Sequence, residues 1–219
     1  MQLFLDTADY QSIKKLYETG IVDGITTNPT NLRKDGANPK EAIKKICELM
    51  PGKPVSVQVT ESDLDAIYAQ AQEIATISDN VVVKIPCYQP YYPVIQKLLG
   101  QNVPLNITLV FSLPQALAMC KLGATYISPF LGRWDDIDAD TSALLAEIVD
   151  MKNEYDFGTK VLAASLRDVP SVHQAINAGS DVATISPALF EKMLKHPLTE
   201  QGMEKFSQDW NKLGISQFP

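Results

Sequence analysis

The feature that most constrains the fold of this sequence is an alternation, along its whole length, of short apolar runs with longer helix-like stretches. Eight runs have the length and composition of strands. They lie at 3–5, 24–27, 54–59, 81–85, 104–108, 126–128, 161–164 and 182–185. The run VVVKI at 81–85 is β-branched and does not alternate with polar residues, which is typical of a strand buried on both faces. Strands and helices in alternation predict a parallel sheet covered by helices.

The stretches between these runs have apolar residues at helical spacing and charged exposed faces. They lie at 9–19, 39–50, 62–77, 90–99, 112–121, 140–155, 170–178 and 187–194. A last amphipathic stretch at 199–213 carries Met203, Phe206 and Trp210 at helical spacing. The sequence therefore predicts a helix after every strand and one more at the C-terminus.

Eight strand–helix units in succession predict an α/β fold, a (β/α)8 TIM barrel with an additional C-terminal helix over about 199–213. The 219 residues leave little room for an inserted domain, so we expect one domain over 1–219. A doubly wound open sheet is the structural alternative. Such a sheet usually has a glycine-rich first turn, and neither GxGxxG nor GxxxxGK[ST] occurs in this sequence. The barrel is therefore favoured.

Composition argues against several classes of protein. The net charge is −7 and no block of five like charges occurs, which argues against nucleic-acid or polybasic membrane contacts. No apolar run approaches the ~20 residues that span a bilayer. Three widely spaced cysteines and two histidines offer little for a disulfide framework, a metal site or a Ser-His-Asp relay. We therefore expect a cytoplasmic protein without metal or cofactor.

Polar residues fall at the end of almost every predicted strand. In a barrel of this kind the C-terminal strand ends meet at one mouth, where active sites are found. These residues are Asp6, Thr26, Thr27, Asn28, Gln58, Lys84, Asn106, Thr108, Ser128, Ser165, Arg167 and Ser186. We expect their side chains to converge.

Lys84 is the most informative single residue because it lies inside a run of valines and isoleucine. Lysine is seldom fully buried. Burial in an apolar barrel lowers the pKa of the amine, and a neutral amine can attack a carbonyl and form a Schiff base. The alternatives are a side chain that extends to solvent, or an amine paired with a nearby carboxylate.

Two other strand ends also have a structural interpretation. Asp6 is a second catalytic candidate, but it could instead cap the helix that begins near Asp9. Asn28 and Pro29 by themselves indicate a turn.

Arg133, Ser165 and Arg167 suggest an anion site, because arginine forms paired hydrogen bonds with phosphate oxygens. The loops after the last two strands often bind phosphate in such barrels. The alternative for each arginine is a surface salt bridge.

Seven segments, in this order and spacing, resemble the transaldolase family in the short form that it shares with fructose-6-phosphate aldolase. They are FLDTAD at 4–9, GITTNPT at 24–30, VVVKIP at 81–86, LNITLVFS at 105–112, SPFLGR at 128–133, VLAASLR at 161–167 and KFSQDW at 205–210. The resemblance covers essentially the whole chain.

The resemblance implies a metal-free class I enzyme in which Lys84 carries the Schiff base. Asp6 would move protons during carbon–carbon cleavage, and Asn28 would help to position it. Thr108 and Gln58 would hold a catalytic water.

The resemblance also implies a set of substrate contacts. Asn106 and Ser128 would hold a dihydroxyacetone unit, and Arg133, Ser165 and Arg167 would bind the phosphate of a sugar-phosphate substrate. The resemblance further implies a homo-oligomer, a decamer or pentamer.

Three positions give different indications about the fate of the dihydroxyacetone unit. Gln58 is similar to the aldolase branch, whereas Phe130 and Arg167 are similar to the transaldolase branch. We therefore expect a transaldolase of the pentose phosphate pathway, with fructose-6-phosphate aldolase or a related dihydroxyacetone-dependent aldolase as the alternative. A non-catalytic barrel that binds a sugar phosphate is a third hypothesis, and it predicts an ion pair at Lys84.

Overall fold

The computed structural model describes residues 1–32, 38–137 and 140–214, without the side chain of Ser142. In this part of the chain eight parallel strands close into a barrel, in which each strand pairs with the next in sequence and the last pairs with the first. The strands are β1 Gln2–Asp6, β2 Gly24–Thr26, β3 Val55–Gln58, β4 Val81–Pro86, β5 Leu105–Val110, β6 Tyr126–Pro129, β7 Lys160–Ala163 and β8 Val182–Ile185. The predicted TIM barrel is confirmed, and the open sheet is excluded.

Helices connect the strands and surround the barrel. They are α1 Tyr10–Tyr17, α2 Pro29–Leu32, α3 Pro39–Leu49, α4 Leu64–Ala75, α5 Tyr92–Leu99, α6 Leu113–Leu122, α7 Leu131–Asp135, α8 Thr141–Glu154, α9 Val169–Asn177, α10 Pro187–Met193 and α11 Pro197–Lys212. A 3₁₀ turn at Gln89–Tyr91 precedes α5. The sequence did not predict α2 and α7, because four or five residues are too few to show a helical period.

The helices α4 and α11 each begin two residues away from the predicted start, because a side chain caps the helix at another residue. The carboxylate of Asp63 accepts hydrogen bonds from two backbone N–H groups, so α4 begins at Leu64 and not at 62. The imidazole Nδ1 of His196 accepts from the N–H of Leu198 at 3.2 Å, so α11 begins at Pro197 and not at 199.

The inside of the barrel has an apolar floor and a polar mouth. The floor consists of inward side chains from the N-terminal halves of the strands, namely Phe4, Val82, Tyr126, Leu162 and Val182. The mouth consists of the polar inward side chains, namely Asp6, Thr26, Ser56, Lys84, Asn106, Thr108, Ser128 and Thr184. The outward side chains pack against the helices in a larger hydrophobic cluster. Alternation of side chains along each strand therefore separates structural packing from the mouth.

The last helix, α11, contributes no buried side chain to this packing. Leu198, Met203, Phe206 and Leu213 are all exposed. Within the described residues, neither α11 nor any other helix has the length and apolar character needed to cross a membrane.

Candidate active site

Lys84 lies at the centre of the polar mouth and is only 4% exposed. Parallel pairing of β3, β4 and β5 places Gln58 and Asn106 at the register of Lys84, one on each side. The Nζ atom donates a hydrogen bond to the carbonyl oxygen of Thr27 at 3.3 Å and lies 5.9 Å from the ring centroid of Phe130. The head group therefore does not extend to solvent, which excludes the first alternative for this residue.

The surroundings of Lys84 change the acidity of its amine. Burial in the barrel lowers the pKa of Lys84 below its ordinary value of 10.5, and the negative charge of Asp6 opposes this effect. In the described part of the chain Lys84 forms no salt bridge, with Asp6 or with any other carboxylate. Its amine is thus more readily neutral than that of an exposed lysine, as a nucleophile that attacks a carbonyl must be.

Asp6 points into the mouth and does not cap the first helix. That role belongs to Asp9, whose Oδ1 accepts from the N–H of Ser12 at 2.7 Å. The alternative interpretation of Asp6 as a helix cap is therefore wrong, because Asp9 already satisfies the helix start. Asp6 lies at the end of β1, paired with Thr26 of β2.

Among the described residues, three side chains donate hydrogen bonds to Asp6. They are the hydroxyl of Thr26 at 3.2 Å, the amide of Asn28 at 3.3 Å and the amide of Asn31 at 3.1 Å. Burial raises the pKa of Asp6, while the charge of Lys84 and these three hydrogen bonds lower it. A carboxyl group with a raised pKa and an adjacent amine is suited to moving a proton near neutral pH.

A hydrogen-bonded chain crosses the mouth from β6 to β3. The Ser128 hydroxyl donates to Oδ1 of Asn106 at 2.6 Å, and Nδ2 of Asn106 donates to Oγ of Ser56 at 3.1 Å. All three residues are buried. The chain fixes the Asn106 amide beside Lys84, where it and Ser128 can contact the hydroxyl groups of a bound ligand.

Thr108 has a buried hydroxyl that finds no hydrogen-bond partner within the described residues. An unpaired buried hydroxyl is costly unless water or a ligand satisfies it. Gln58 is half-buried beside Lys84 and also borders a cavity of about 520 Å³ next to α3 and α4. The two side chains therefore lie near the register of Lys84 with polar atoms available for a water.

A β-bulge directly after Thr108 shapes this side of the mouth. The register between β5 and β6 shifts between Thr108 and Val110, and Leu109 has a φ of 58°, which is unusual for a residue with a side chain. The N–H of Phe130 then donates to the carbonyl oxygen of Val110 at 3.2 Å. The bulge thus connects the end of β5 with the segment that carries Phe130.

The three candidate phosphate-binding residues lie around α7, at the edge of the mouth. The N–H of Gly132 donates to the carbonyl oxygen of Ser165 at 3.1 Å. A Cβ atom at Gly132 would collide with that oxygen and lie 2.7 Å from Nε of Arg167. Glycine at 132 therefore allows α7 to pack directly on the segment that follows β7.

Arg167 forms a two-bond ion pair with Asp136, at the end of α7. Its NH1 donates to Oδ1 of Asp136 and its NH2 to Oδ2, the latter at 2.7 Å. The pair lowers the pKa of Asp136, and the nearby charge of exposed Arg133 adds to this effect. The surface salt bridge considered for the arginines from sequence is thus present at Arg167.

Sequence reasoning did not single out Asn31, Ser56 or Thr184 as members of the mouth. Thr184 contacts the Thr26 hydroxyl at 2.7 Å. Ser56 and Thr184 could have been found from strand alternation, because each lies on the inward face of its strand. Asn31 has no such signal, since it lies in a helix of four residues.

Two solved structures share the architecture. Thiamine phosphate pyrophosphorylase from Pyrococcus furiosus matches with a TM-score of 0.61 at 18% identity, over 88% of this chain and 93% of that one. An L230A mutant of flavocytochrome b2 matches with a TM-score of 0.61 at 11% identity, over 85% of this chain and 57% of that one. At these identities the likeness concerns the barrel fold alone.

Sequence comparisons identify the family. A family model described as Transaldolase/Fructose-6-phosphate aldolase matches residues 3–217. A protein named probable transaldolase from Phenylobacterium zucineum is 45% identical over 99% of both chains. Proteins of the same name from Chelativorans sp. and Caulobacter vibrioides are each 44% identical, over 98% and 99% of both chains. The chain therefore belongs to the transaldolase/fructose-6-phosphate aldolase family.

Proposed function

We propose that the protein is a class I transaldolase of the pentose phosphate pathway, acting in the cytoplasm without metal or cofactor. It transfers a dihydroxyacetone unit from fructose 6-phosphate or sedoheptulose 7-phosphate to erythrose 4-phosphate or glyceraldehyde 3-phosphate. The observation that carries this proposal is the buried amine of Lys84, with its lowered pKa, beside Asp6 in the polar mouth. The names of the relatives support it.

In the first stage Lys84 attacks the C2 carbonyl of the ketose phosphate. The resulting carbinolamine loses water and becomes an iminium ion. The unpaired hydroxyl of Thr108 and the Gln58 amide hold the water that takes part. Gln58 can hydrogen-bond that water but cannot exchange a proton with it.

In the second stage Asp6 accepts the proton of the C4 hydroxyl. The C3–C4 bond breaks, its electron pair moves into the iminium ion, and an aldehyde leaves. A dihydroxyacetone enamine remains on Lys84. The hydrogen-bonded chain of Asn106 and Ser128 holds the hydroxyl groups of this three-carbon unit, and Asn28 positions Asp6.

The phosphate end of the substrate binds at α7. Arg133, Ser165 and Arg167 supply the hydrogen-bond donors, and Gly132 keeps α7 close to Ser165. Arg167 exchanges the carboxylate of Asp136 for the phosphate, since both present paired oxygen acceptors to the guanidinium group.

Fructose-6-phosphate aldolase activity is the second candidate, and Gln58 favours it. In that reaction water protonates the enamine and free dihydroxyacetone departs. Phe130 argues against this outcome, because its ring offers no hydroxyl to a water near Lys84. The ring packs edge-to-face on Phe111, with 6.2 Å between the ring centroids. A non-catalytic barrel is disfavoured because Lys84 forms no salt bridge in the described residues.

We further propose that the protein is a homo-oligomer, a pentamer or decamer, in which α11 packs on a neighbouring copy. The exposed apolar side chains of α11, none of which enters the core of its own chain, support this proposal.

Borohydride reduction in the presence of fructose 6-phosphate tests the covalent step. We expect inactivation and one reduced dihydroxyacetone unit on Lys84, found by peptide mass spectrometry. Lys84→Met abolishes labelling, whereas Lys121→Met, at an exposed lysine of α6, leaves it unchanged. An inactivated wild-type protein with unmodified Lys84 would contradict the mechanism.

The acceptor dependence of fructose 6-phosphate consumption separates the two activities. A transaldolase needs erythrose 4-phosphate, whereas an aldolase turns over at a comparable rate without it. Activity is expected to survive EDTA, and its loss would contradict the metal-free mechanism.

A further inference from the structure

The hydrogen bonds to Asp6 are distributed unevenly over its two oxygens. Thr26, Asn28 and Asn31 all donate to Oδ1, at 3.2, 3.3 and 3.1 Å. Within the described residues, Oδ2 accepts no hydrogen bond. The three donors come from β2, from the turn that follows it and from α2, so the carboxylate is held on one side by three separate positions of the chain.

Asn31 takes part in this arrangement twice. Its side-chain amide donates to Asp6, and its backbone N–H donates to Oδ1 of Asn28 at 3.0 Å. Because the Asn28 oxygen is occupied in this way, the Nδ2 of Asn28 faces Asp6. Loss of the Asn31 side chain therefore removes one donor to Asp6 and leaves the other two in place.

We propose that Asn31 is a positioning residue that, with Thr26 and Asn28, fixes Oδ1 of Asp6, so that Oδ2 is the atom that receives the substrate proton. This proposal rests on the proposed function. The O–H bond of the C4 hydroxyl breaks and its proton moves to Oδ2. The electrons of that bond form the aldehyde C=O, while the C3–C4 pair moves into the iminium ion on Lys84.

The charged and neutral groups around Asp6 determine how the Asn31 amide affects the pKa of this carboxyl group. Among the described residues, the charged group that acts on Asp6 is Lys84 of β4. The side chains that face it from β2, the following turn and α2 are neutral, as is Thr184 of β8 behind Thr26. A donor amide stabilises the ionised carboxylate, so removal of the amide raises the pKa of Asp6. Asp6 in its protonated form cannot accept the substrate proton.

The experiment compares the pH dependence of kcat/KM for wild type and for Asn31→Leu, a side chain of similar size without a donor. We expect the acidic limb of the Asn31→Leu profile to move to higher pH by about one unit. At pH values below this limb, kcat falls about tenfold, while KM for fructose 6-phosphate changes little. Asn31→Asp keeps the shape of the side chain but places a second negative charge beside Asp6. The acidic limb of its kcat/KM profile therefore moves to still higher pH. If Asn31→Leu fails to fold, Asn31→Asp carries the test.

Thr30→Val is the matched control, because Thr30 is exposed on the same short helix. We expect the pH profile of kcat/KM for Thr30→Val to be the same as that of wild type. Borohydride labelling of Lys84 is measured in parallel on each variant. Variants that still form the adduct and keep the wild-type profile overturn the role of Asn31 alone. A wild-type protein that forms no adduct overturns the proposed function, and this proposal with it.

Discussion

At the scale of single residues, the mouth brings together an amine and a carboxyl group whose pKa values move towards each other. Burial lowers the pKa of Lys84 and raises that of Asp6. Each charge moderates the change in the other, because opposite charges stabilise one another. Proton exchange between such groups is easier than between an ordinary lysine and an ordinary aspartate.

The first prediction concerns the pH dependence of adduct formation. With dihydroxyacetone and cyanoborohydride, the labelling rate of Lys84 rises with pH, because the neutral amine is the nucleophile, and its midpoint lies below 10.5. Asp6→Asn removes the charge that raises the pKa of Lys84, so the midpoint moves lower still. A wild-type midpoint at or above 10.5 contradicts the assignment.

The second prediction concerns Phe130. Phe130→Tyr adds a hydroxyl close to Lys84, where it can orient a water that protonates the enamine. We expect a higher rate of fructose 6-phosphate cleavage without acceptor, measured as free dihydroxyacetone. Phe111→Tyr is the control, because it adds the same hydroxyl to the ring that packs against Phe130. An unchanged acceptor-independent rate in Phe130→Tyr removes this residue from the choice between the two activities.

The third prediction concerns the carboxylate that occupies Arg167. Asp136→Asn frees the guanidinium group, so KM for sugar phosphates and the inhibition constant for inorganic phosphate fall by roughly two- to fivefold. The difference shrinks at high salt, because the ion pair is exposed. A higher KM in this variant would mean that Asp136 orients Arg167 for binding and does not compete with the phosphate.

At the scale of elements, the regular parts of the fold could be predicted from sequence and the irregular ones could not. Every predicted apolar run overlaps an observed strand, because strand length and burial leave a local pattern. The helices α2 and α7 leave none because they are too short to show a helical period, and the bulge at Leu109 leaves none because it is a feature of the pairing between β5 and β6.

In the candidate site, too, the residues on regular strands could be predicted from sequence and the contacts of irregular segments could not. Lys84 and Asn106 could be placed from the strands that carry them. The hydrogen bond from Asn31 to Asp6 and the ion pair of Arg167 with Asp136 depend on short helices, so the sequence did not predict either contact.

The fourth prediction tests the packing of α7. Gly132→Ala introduces a Cβ that collides with the carbonyl oxygen of Ser165, so α7 shifts away from the segment after β7. We expect a loss of about 1–3 kcal/mol in the free energy of unfolding and a higher KM for sugar phosphates. Gly158→Ala is the control, because a Cβ there meets no atom within 4 Å. Equal stability and KM in the two variants would contradict the role of Gly132.

At the scale of the whole molecule, a closed barrel leaves no sheet edge and no natural boundary between its strands. We therefore propose that residues 1–219 form one domain, which unfolds in a single calorimetric transition. Within this domain the helix α11 contributes no buried side chain, and apolar side chains such as Met203 and Phe206 lie on the surface.

The fifth prediction is that removal of the chain after Leu198 lowers the native mass, as measured by light scattering, while the barrel still melts cooperatively. Phe206→Asp weakens the assembly in the same direction, because it places a charge on the exposed apolar side of α11. Lys205→Gln, which makes the same change of one unit in net charge at an exposed neighbour, is the comparison. An unchanged mass in the truncated protein contradicts packing through α11.

The position of α7 outside the barrel has a consequence for how an enzyme of this design can diversify. In the mechanism that we propose, the side chains that act on the ketone come from the strands and the residue that positions Asp6 comes from α2, whereas the side chains for the phosphate end come from α7 and the segment after β7. If the phosphate end binds there, exchange of α7 would change how far from Lys84 it is held and would leave the strand register untouched. Selection for a longer or shorter sugar can therefore act on one surface segment, while the carbon–carbon chemistry is inherited intact.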